Sequence, residues 1–219
     1  MRSPIHPEGF PFIVLFSFFG IIFRIASVRF PFIVKFAKFL SYFFGIMAVF
    51  SLYFFRDPER EIPQDPEAIV SPADGTVINI DEVNNAPFIN GPAKRVAIFL
   101  SVFNVHINRA PISGNVVYRN YNPGKFFPAN MDKASEDNEQ NSIGIAQGDF
   151  KVLVKQIAGI IARRIVCWKD PGSSLEKGER FGLIRFGSRT EIFMPPSVEI
   201  AVSVGDKVSG GLSIIAKRK

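Results

Sequence analysis

The sequence predicts a mainly β, antiparallel domain carried behind an N-terminal α-helical membrane-associated segment. Three observations lead there. Fifteen of the 24 phenylalanines fall in residues 1–55, one quarter of the 219-residue chain. No acidic residue occurs between Gly9 and Arg56, where apolar runs alternate with Arg24, Arg29, Lys35 and Lys38. From residue 56 onward the composition changes to short β-branched runs separated by Gly, Pro, Asn and Asp, the spacing of an antiparallel β domain. The expected division is a hydrophobic membrane-anchoring segment, 1–55, and a β-rich domain, 56–219.

The anchor contains a 14-residue apolar run, Phe10–Phe23, and a 17-residue run, Phe39–Phe55. A membrane span needs about 20 apolar residues. The first run reaches that length only if Arg24 snorkels and Ile25–Val28 continue the helix. A signal peptide fits poorly, because the run leads into Arg24 and a second hydrophobic stretch instead of a small-residue cleavage site. Two arrangements satisfy these lengths: a helical hairpin with the basic link 24–38 at one face, or two helices lying in the interface. With Arg2 and the lone acid Glu8, the segment carries +4 of the chain's +6, so the body is nearly neutral. Cations set among Phe, Ile, Leu and Val imply an anionic membrane surface as partner, not nucleic acid. The positive-inside rule puts the link in the cytoplasm. Shallow, peripheral or monotopic attachment to the cell membrane then leaves the body on the cytoplasmic side.

The body opens with Arg56-Asp57-Pro58-Glu59-Arg60 and the punctuation of Pro63, Asp65 and Pro66, a polar exit from the anchor. Strands are expected at Gly75–Ile80, Arg95–Val102, Gly114–Tyr118, Phe150–Ile157, Ile160–Cys167, Ser188–Phe193, Val198–Val202 and Leu212–Ala216. Asp132–Asn138 could hold a short turn, and 135–141 read as a polar loop. Two segments look alike: Ser71-Pro72-Ala73-Asp74-Gly75-Thr76-Val77, and Val204-Gly205-Asp206-Lys207-Val208 followed by Gly210-Gly211-Leu212. Together they resemble the hammerhead half-barrel of biotinyl and lipoyl carrier domains. That resemblance carries an alternative function, a membrane-tethered lipoyl/biotinyl-like adaptor without catalysis. A carrier would need a modifiable lysine at a hairpin tip, whereas Lys207 follows Asp206 in an ordinary turn.

The chemistry is narrowed by scarcity. One cysteine forms no internal disulfide, and Cys167 with His6 and His106 does not assemble the usual Cys/His zinc sites, so no metal is expected. An apolar share of 47% with 21% charged residues argues against disorder. His106 is the only histidine after the anchor, so any imidazole base in the body must be this one. Asp74 before Gly75 is an ordinary turn pair, and Gly187-Ser188 alone is another. Together, Asp74, His106 and Ser188 could form an orienter–base–nucleophile set. The serine is not framed as G-x-S-x-G, so a hydrolase elbow is unsupported.

Seven runs, in order along almost the whole chain, resemble phosphatidylserine decarboxylase proenzymes of the short bacterial and archaeal class. They are Tyr53–Arg60, Ser71–Gly75, Asn104–Pro111, Asp132–Glu139, Gln156–Gly159, Ala162–Ile165 and the specific block Gly178–Arg189. The resemblance implies self-cleavage between Gly187 and Ser188, giving a β chain, 1–187, and an α chain, 188–219. Ser188 would become a covalent pyruvoyl cofactor. Its ketone would form a Schiff base with phosphatidylserine, giving phosphatidylethanolamine and CO₂ in phospholipid biosynthesis. His106 would be the general base and acid, and Asp74 would orient it. Arg109, Asn138, Glu139, Arg163 and Arg164 stand in matching runs and are the expected substrate-binding residues. Gln140 replaces the arginine usual in the family. The two chains would form a heterodimer, with further pairing of β domains plausible.

Overall fold

The computed structural model describes residues 3–125, 127–129, 137–159, 164–185 and 187–219. Two compact units emerge, 1–59 and 60–219. In the first, α1 (Phe10–Arg29) and α2 (Val34–Phe54) pack on each other through a short link. Pro31 sets the break: Phe30 before it is extended, the conformation a following proline favours. At 20 and 21 residues, each helix is about 30 Å long. Both are long and apolar enough to cross a membrane. The first exceeds its 14-residue apolar run because Arg24–Arg29 continue it.

Small residues bring the helices together, as lipid-embedded pairs require. Gly20 faces the backbone of Gly45, and Ser41 Oγ donates to the Gly20 carbonyl at 2.9 Å. Ala37, Ala48 and Ser51 are buried, and Phe44 stacks on Phe19 and Phe23. Outward, phenylalanines lie bare, Phe32 at 84% exposure. An apolar surface this extensive marks an interaction site. The hairpin's ends are tied by His6 N–H to the Phe55 carbonyl and Asp57 N–H to the Pro4 carbonyl, both 2.8 Å.

The second unit is built of β1 (Ala68–Val70), β2 (Gly75–Ala86), β3 (Gly91–Leu100), β4 (Ile107–Arg109), β5 (Gly114–Asn122), β6 (Gln140–Gln147), β7 (Phe150–Ala158), β8 (Ile165–Cys167), β9 (Ser174–Leu175), β10 (Arg180–Ile184), β11 (Ser188–Met194), β12 (Glu199–Ile200), β13 (Lys207–Val208) and β14 (Ile214–Lys217). Eight strands form a curled antiparallel half-barrel in the order β13-β2-β3-β11-β7-β6-β5-β9. Two three-stranded sheets, β1-β14-β12 and β4-β10-β8, complete it. The mainly β class with two N-terminal apolar helices is as expected. The two look-alike segments meet: Val208 pairs with Gly75 and Lys207 with Thr76. Gly75 has no alternative there, since a Cβ would lie 2.2 Å from the Phe99 carbonyl oxygen. Lys207 is therefore a strand residue, not a hairpin tip.

The expected strands shift where polar residues find partners. β2 runs on to Ala86 and β3 starts at Gly91, joined by a cross-strand pair of Asp81 with Arg95. Gln140 and Asn141, read as loop, are buried in β6, because Asn141 Nδ2 donates to Gln156 Oε1 on β7 at 2.8 Å. Of the strand expected over 160–167, only Ile165–Cys167 is a described strand, and 160–163 lie outside the described residues. The turn at Asp132–Asn138 falls outside them up to residue 136.

Strand β11 lies between β3 and β7 with both faces buried. Ile192 and Met194 pack with Val96, Ile98, Val152 and Val154 in the main core. Ser188 and Thr190 share that face by strand alternation. The other face carries Arg189 and Glu191, paired at 2.8 Å, with Arg95 3.5 Å from the same carboxylate. Pairing is what makes buried charge tolerable.

Candidate active site

Register brings the expected residues together. Ser188 opens β11 opposite Leu100, the last residue of β3, and opposite Ala158, the last residue of β7. After Leu100 the chain turns within four residues: Asn104 Oδ1 accepts from Ser101 N–H at 2.9 Å and Oγ at 2.8 Å, and Asn104 N–H donates to the Ser101 carbonyl. This turn returns His106 to the start of β11.

His106 is fully buried. Its Nδ1 lies 2.9 Å from the Asn104 carbonyl oxygen. A carbonyl only accepts, so Nδ1 carries the proton and Nε2 keeps its lone pair. Nε2 accepts the Gly187 N–H at 3.3 Å, which sets the basic nitrogen beside the Gly187–Ser188 step. Gly187 has φ +60°, a left-handed conformation costly for residues with a Cβ. Ser188 is fully buried, and its Oγ has no hydrogen-bond partner among the described residues. A buried hydroxyl left so costs about 1–3 kcal/mol. Unpaired donors of this kind call for a functional explanation.

Asp74, expected to orient His106, is engaged by Arg60 and by the Gly210 amide. Its Oδ1 accepts from Arg60 Nη1 at 2.6 Å and from Gly210 N–H at 2.8 Å, while Oδ2 accepts from Arg60 Nη2 at 2.9 Å. Both oxygens thus receive donors from Arg60 or Gly210, and His106 Nδ1 faces the Asn104 carbonyl. Arg60 also donates to the Gly210 carbonyl, tying the start of this unit to its C-terminal segment.

The expected substrate-binding residues that are described have these partners. Arg109 is buried and donates from Nη1 to the Gly178 carbonyl at 3.0 Å. Asn138 spends its side chain on backbone: Oδ1 accepts the Phe127 N–H, and Nδ2 donates to the carbonyls of Phe127 and Ala158, all within 2.8 Å. Asn138 thus clamps the Phe127 segment against the end of β7, and offers a ligand no amide proton. Glu139 accepts from Tyr121 OH at 3.0 Å, and its carbonyl accepts from Ala158 N–H, next to the Ser188 pair. Burial and the Glu139 carboxylate together push the Tyr121 hydroxyl above its ordinary pKa. Arg164 is exposed, with its carbonyl accepting Arg185 N–H at 3.2 Å, and Arg163 lies outside the described residues.

Sequence reading missed a buried amide chain behind the site. Asn141 Nδ2 donates to Gln156 Oε1, Gln156 Nε2 to Asn108 Oδ1, and Asn108 Nδ2 to Thr190 Oγ1, at 2.8, 2.8 and 3.1 Å. It links β6, β7, β4 and β11, and so fixes their mutual register. Asn108 and Gln156 both lie in family-like runs, the one signal that could have marked them. Among the described residues no group of three or more His, Cys, Asp or Glu side chains gathers as a metal-ligand set.

Fold and site together describe a β half-barrel protein with a candidate serine–histidine centre at the end of its sheet. The family model for phosphatidylserine decarboxylase matches residues 47–216. A phosphatidylserine decarboxylase proenzyme of Desulfotalea psychrophila is 42% identical over 217 residues, covering 99% of this chain and 97% of that protein. Those of Carboxydothermus hydrogenoformans and Syntrophus aciditrophicus are 50% and 52% identical, over 80% and 75% of this chain and 82% and 78% of theirs. The chain belongs to the phosphatidylserine decarboxylase family and is a decarboxylase.

Proposed function

We propose that the chain is a precursor that cuts itself between Gly187 and Ser188, and then decarboxylates phosphatidylserine through a pyruvoyl group made from Ser188. The observation that carries this reading is the buried Ser188 Oγ, without a hydrogen-bond partner among the described residues, one residue after Gly187, whose N–H donates to His106 Nε2. The relatives' designation as proenzymes supports it.

His106 Nε2 takes the Ser188 Oγ proton as the oxygen attacks the Gly187 carbonyl carbon. The C–O bond forms, the C–N bond breaks, and the proton passes to the freed amine, leaving an ester. Removal of the Ser188 Cα proton then expels Gly187 as a carboxylate, with cleavage of the Cβ–Oγ bond. The resulting dehydroalanine tautomerises, adds water and loses ammonia, so no oxidant or reductant is needed. The site suits the group: residue 188 is enclosed, held between β3 and β7, and follows Gly187, whose N–H donates to the His106 imidazole. A pyruvoyl group supplies an electron-withdrawing carbonyl that accepts the substrate amine and takes up the electron pair left by CO₂. His106 Nε2 then holds the proton returned to the head-group carbon, and burial around it excludes water.

The head-group phosphate is assigned to the Arg163–Arg164 pair in preference to Arg109, which is buried and already donates from Nη1 to the Gly178 carbonyl. The apolar hairpin keeps the catalytic unit at the membrane where the lipid resides, on the cytoplasmic side, as the basic residues at its link favour. Ser188→Ala is expected to stay whole and release no CO₂ from carboxyl-labelled phosphatidylserine in mixed vesicles. His106→Ala is expected to cleave very slowly, and rapid processing of it would remove His106 from the base role.

A further inference from the structure

The β7–β11 register that pairs Ala158 with Ser188 makes Gly159 the next residue opposite Gly187. There the two strands part, because Gly187 leaves extended geometry at φ +60°. The Gly187 carbonyl, the one that self-cleavage must attack, turns into the space where a side chain on residue 159 would stand. A Cβ on Gly159 would lie 2.4 Å from the Gly187 oxygen, 3.3 Å from its carbon and 3.3 Å from the Ala129 Cβ. Carbon–oxygen contacts close at about 3.3 Å. Any side chain at 159 therefore displaces the scissile oxygen by about 1 Å, because the Ala158–Ser188 pair fixes the two backbones here, and Ala129 crowds the other side. Ala129 is held there by its own anchor, since the Asn138 side chain clamps Phe127 two residues before it.

We infer that Gly159 is a positioning residue for self-cleavage: its missing side chain is the slot that seats the Gly187 carbonyl for attack by Ser188 Oγ. The inference rests on the proposed self-cleavage and adds to it the wall against which the scissile carbonyl is set. The amide is planar, so moving its oxygen rotates the whole Gly187–Ser188 plane and turns the carbonyl face away from Oγ. Misplacement of a reacting group by about 1 Å costs on the order of 100-fold in rate. A bland reading also exists, in which Gly159 merely saves space and its loss weakens the fold. The two differ in which step fails.

The test follows the full-length precursor of wild type, Gly159→Ala and Gly159→Ala/Ala129→Gly by intact mass, with Ser188→Ala as the uncleavable reference for thermal stability. Ala129→Gly relieves the 3.3 Å crowding but leaves the 2.4 Å contact with the Gly187 oxygen. Both Gly159 variants are expected to mature at least about 100-fold more slowly than wild type, with the double variant as stable as Ser188→Ala. Hydroxylamine separates the steps, because it cleaves an accumulated Gly187 ester to a hydroxamate. It is expected to release residues 188–219 from freshly made wild-type precursor and nothing from the Gly159 variants, which form no ester. Wild-type-like maturation of either variant, or hydroxylamine release at the wild-type rate, overturns the inference while self-cleavage stands. A wild-type chain that never cleaves overturns both.

Discussion

Replacing Asp74 by alanine separates a structural carboxylate from a catalytic one. Its carboxylate receives two charge-assisted bonds from Arg60 and one from the Gly210 amide, with the Arg60 and Asp74 side chains only 7% and 12% exposed. Truncation leaves the guanidinium charge enclosed without its partner, a loss of about 3–5 kcal/mol in comparable buried pairs. For a domain of this size each kcal/mol moves Tm by roughly 2–4 °C. The expected drop is thus about 6–20 °C, read in detergent on a Ser188→Ala background so that every sample is uncut precursor. Arg60→Met with Asp74→Leu is expected to recover most of it, since an apolar pair leaves no buried charge. With Ser188 restored, Asp74→Ala is expected to process at temperatures where it is folded, because the Asn104 carbonyl holds the His106 tautomer. A Tm change under about 2 °C refutes the energetic reasoning. A folded Asp74→Ala precursor that stays whole refutes the structural role and returns Asp74 to the catalytic set.

Three further outcomes follow from the same contacts. Gln156→Leu leaves Asn108 Oδ1 and the Asn141 amide without their shared partner, at about 1–3 kcal/mol each, so thermal unfolding should fall well below wild type; an unchanged Tm contradicts the register role of the amide chain. Hydrogen bonds from Arg95 hold the Asp81 carboxyl below its ordinary range. A depressed folded pKa stabilises above the unfolded value of about 4 and is lost as pH falls through the folded one, so the Tm gap between wild type and Asp81→Asn should be present at neutral pH and vanish in acid; a gap independent of pH rules this out. Gly20→Leu should part the helical hairpin and break the Ser41–Gly20 bond, lowering the melting of the helical far-UV signal in detergent; unaltered melting means the helices do not rely on this approach.

The parts legible in the sequence were those whose signal is local. The Phe-rich runs marked both helices, and the two Asp-Gly and Gly-Asp turn segments foretold the pairing of β2 with β13. His106, Gly187 and Ser188 were singled out by motif, and the turn after β3 sets His106 Nε2 3.3 Å from the Gly187 nitrogen at the start of β11. What escaped depends on partners distant in sequence. Gln140 and Asn141 look like loop until the Asn141–Gln156 bond makes their burial tolerable. Asp74 looked free to serve a histidine because Arg60, 14 positions earlier, reads as part of a polar exit. Asn138 looked available to a ligand, yet three backbone groups consume its amide. Gly159 carries no side chain to attract notice, and only the position of the Gly187 oxygen shows what its absence makes room for.

Ser188, buried and with its Oγ unpartnered among the described residues, is the proposed point of self-cleavage. Intact mass of the purified chain, taken without prior chemical treatment, tests it most directly. Two pieces are expected, residues 1–187 and residues 188–219, the second lighter than its simple hydrolysis product by one ammonia. A single 219-residue species in a preparation that decarboxylates phosphatidylserine would contradict it.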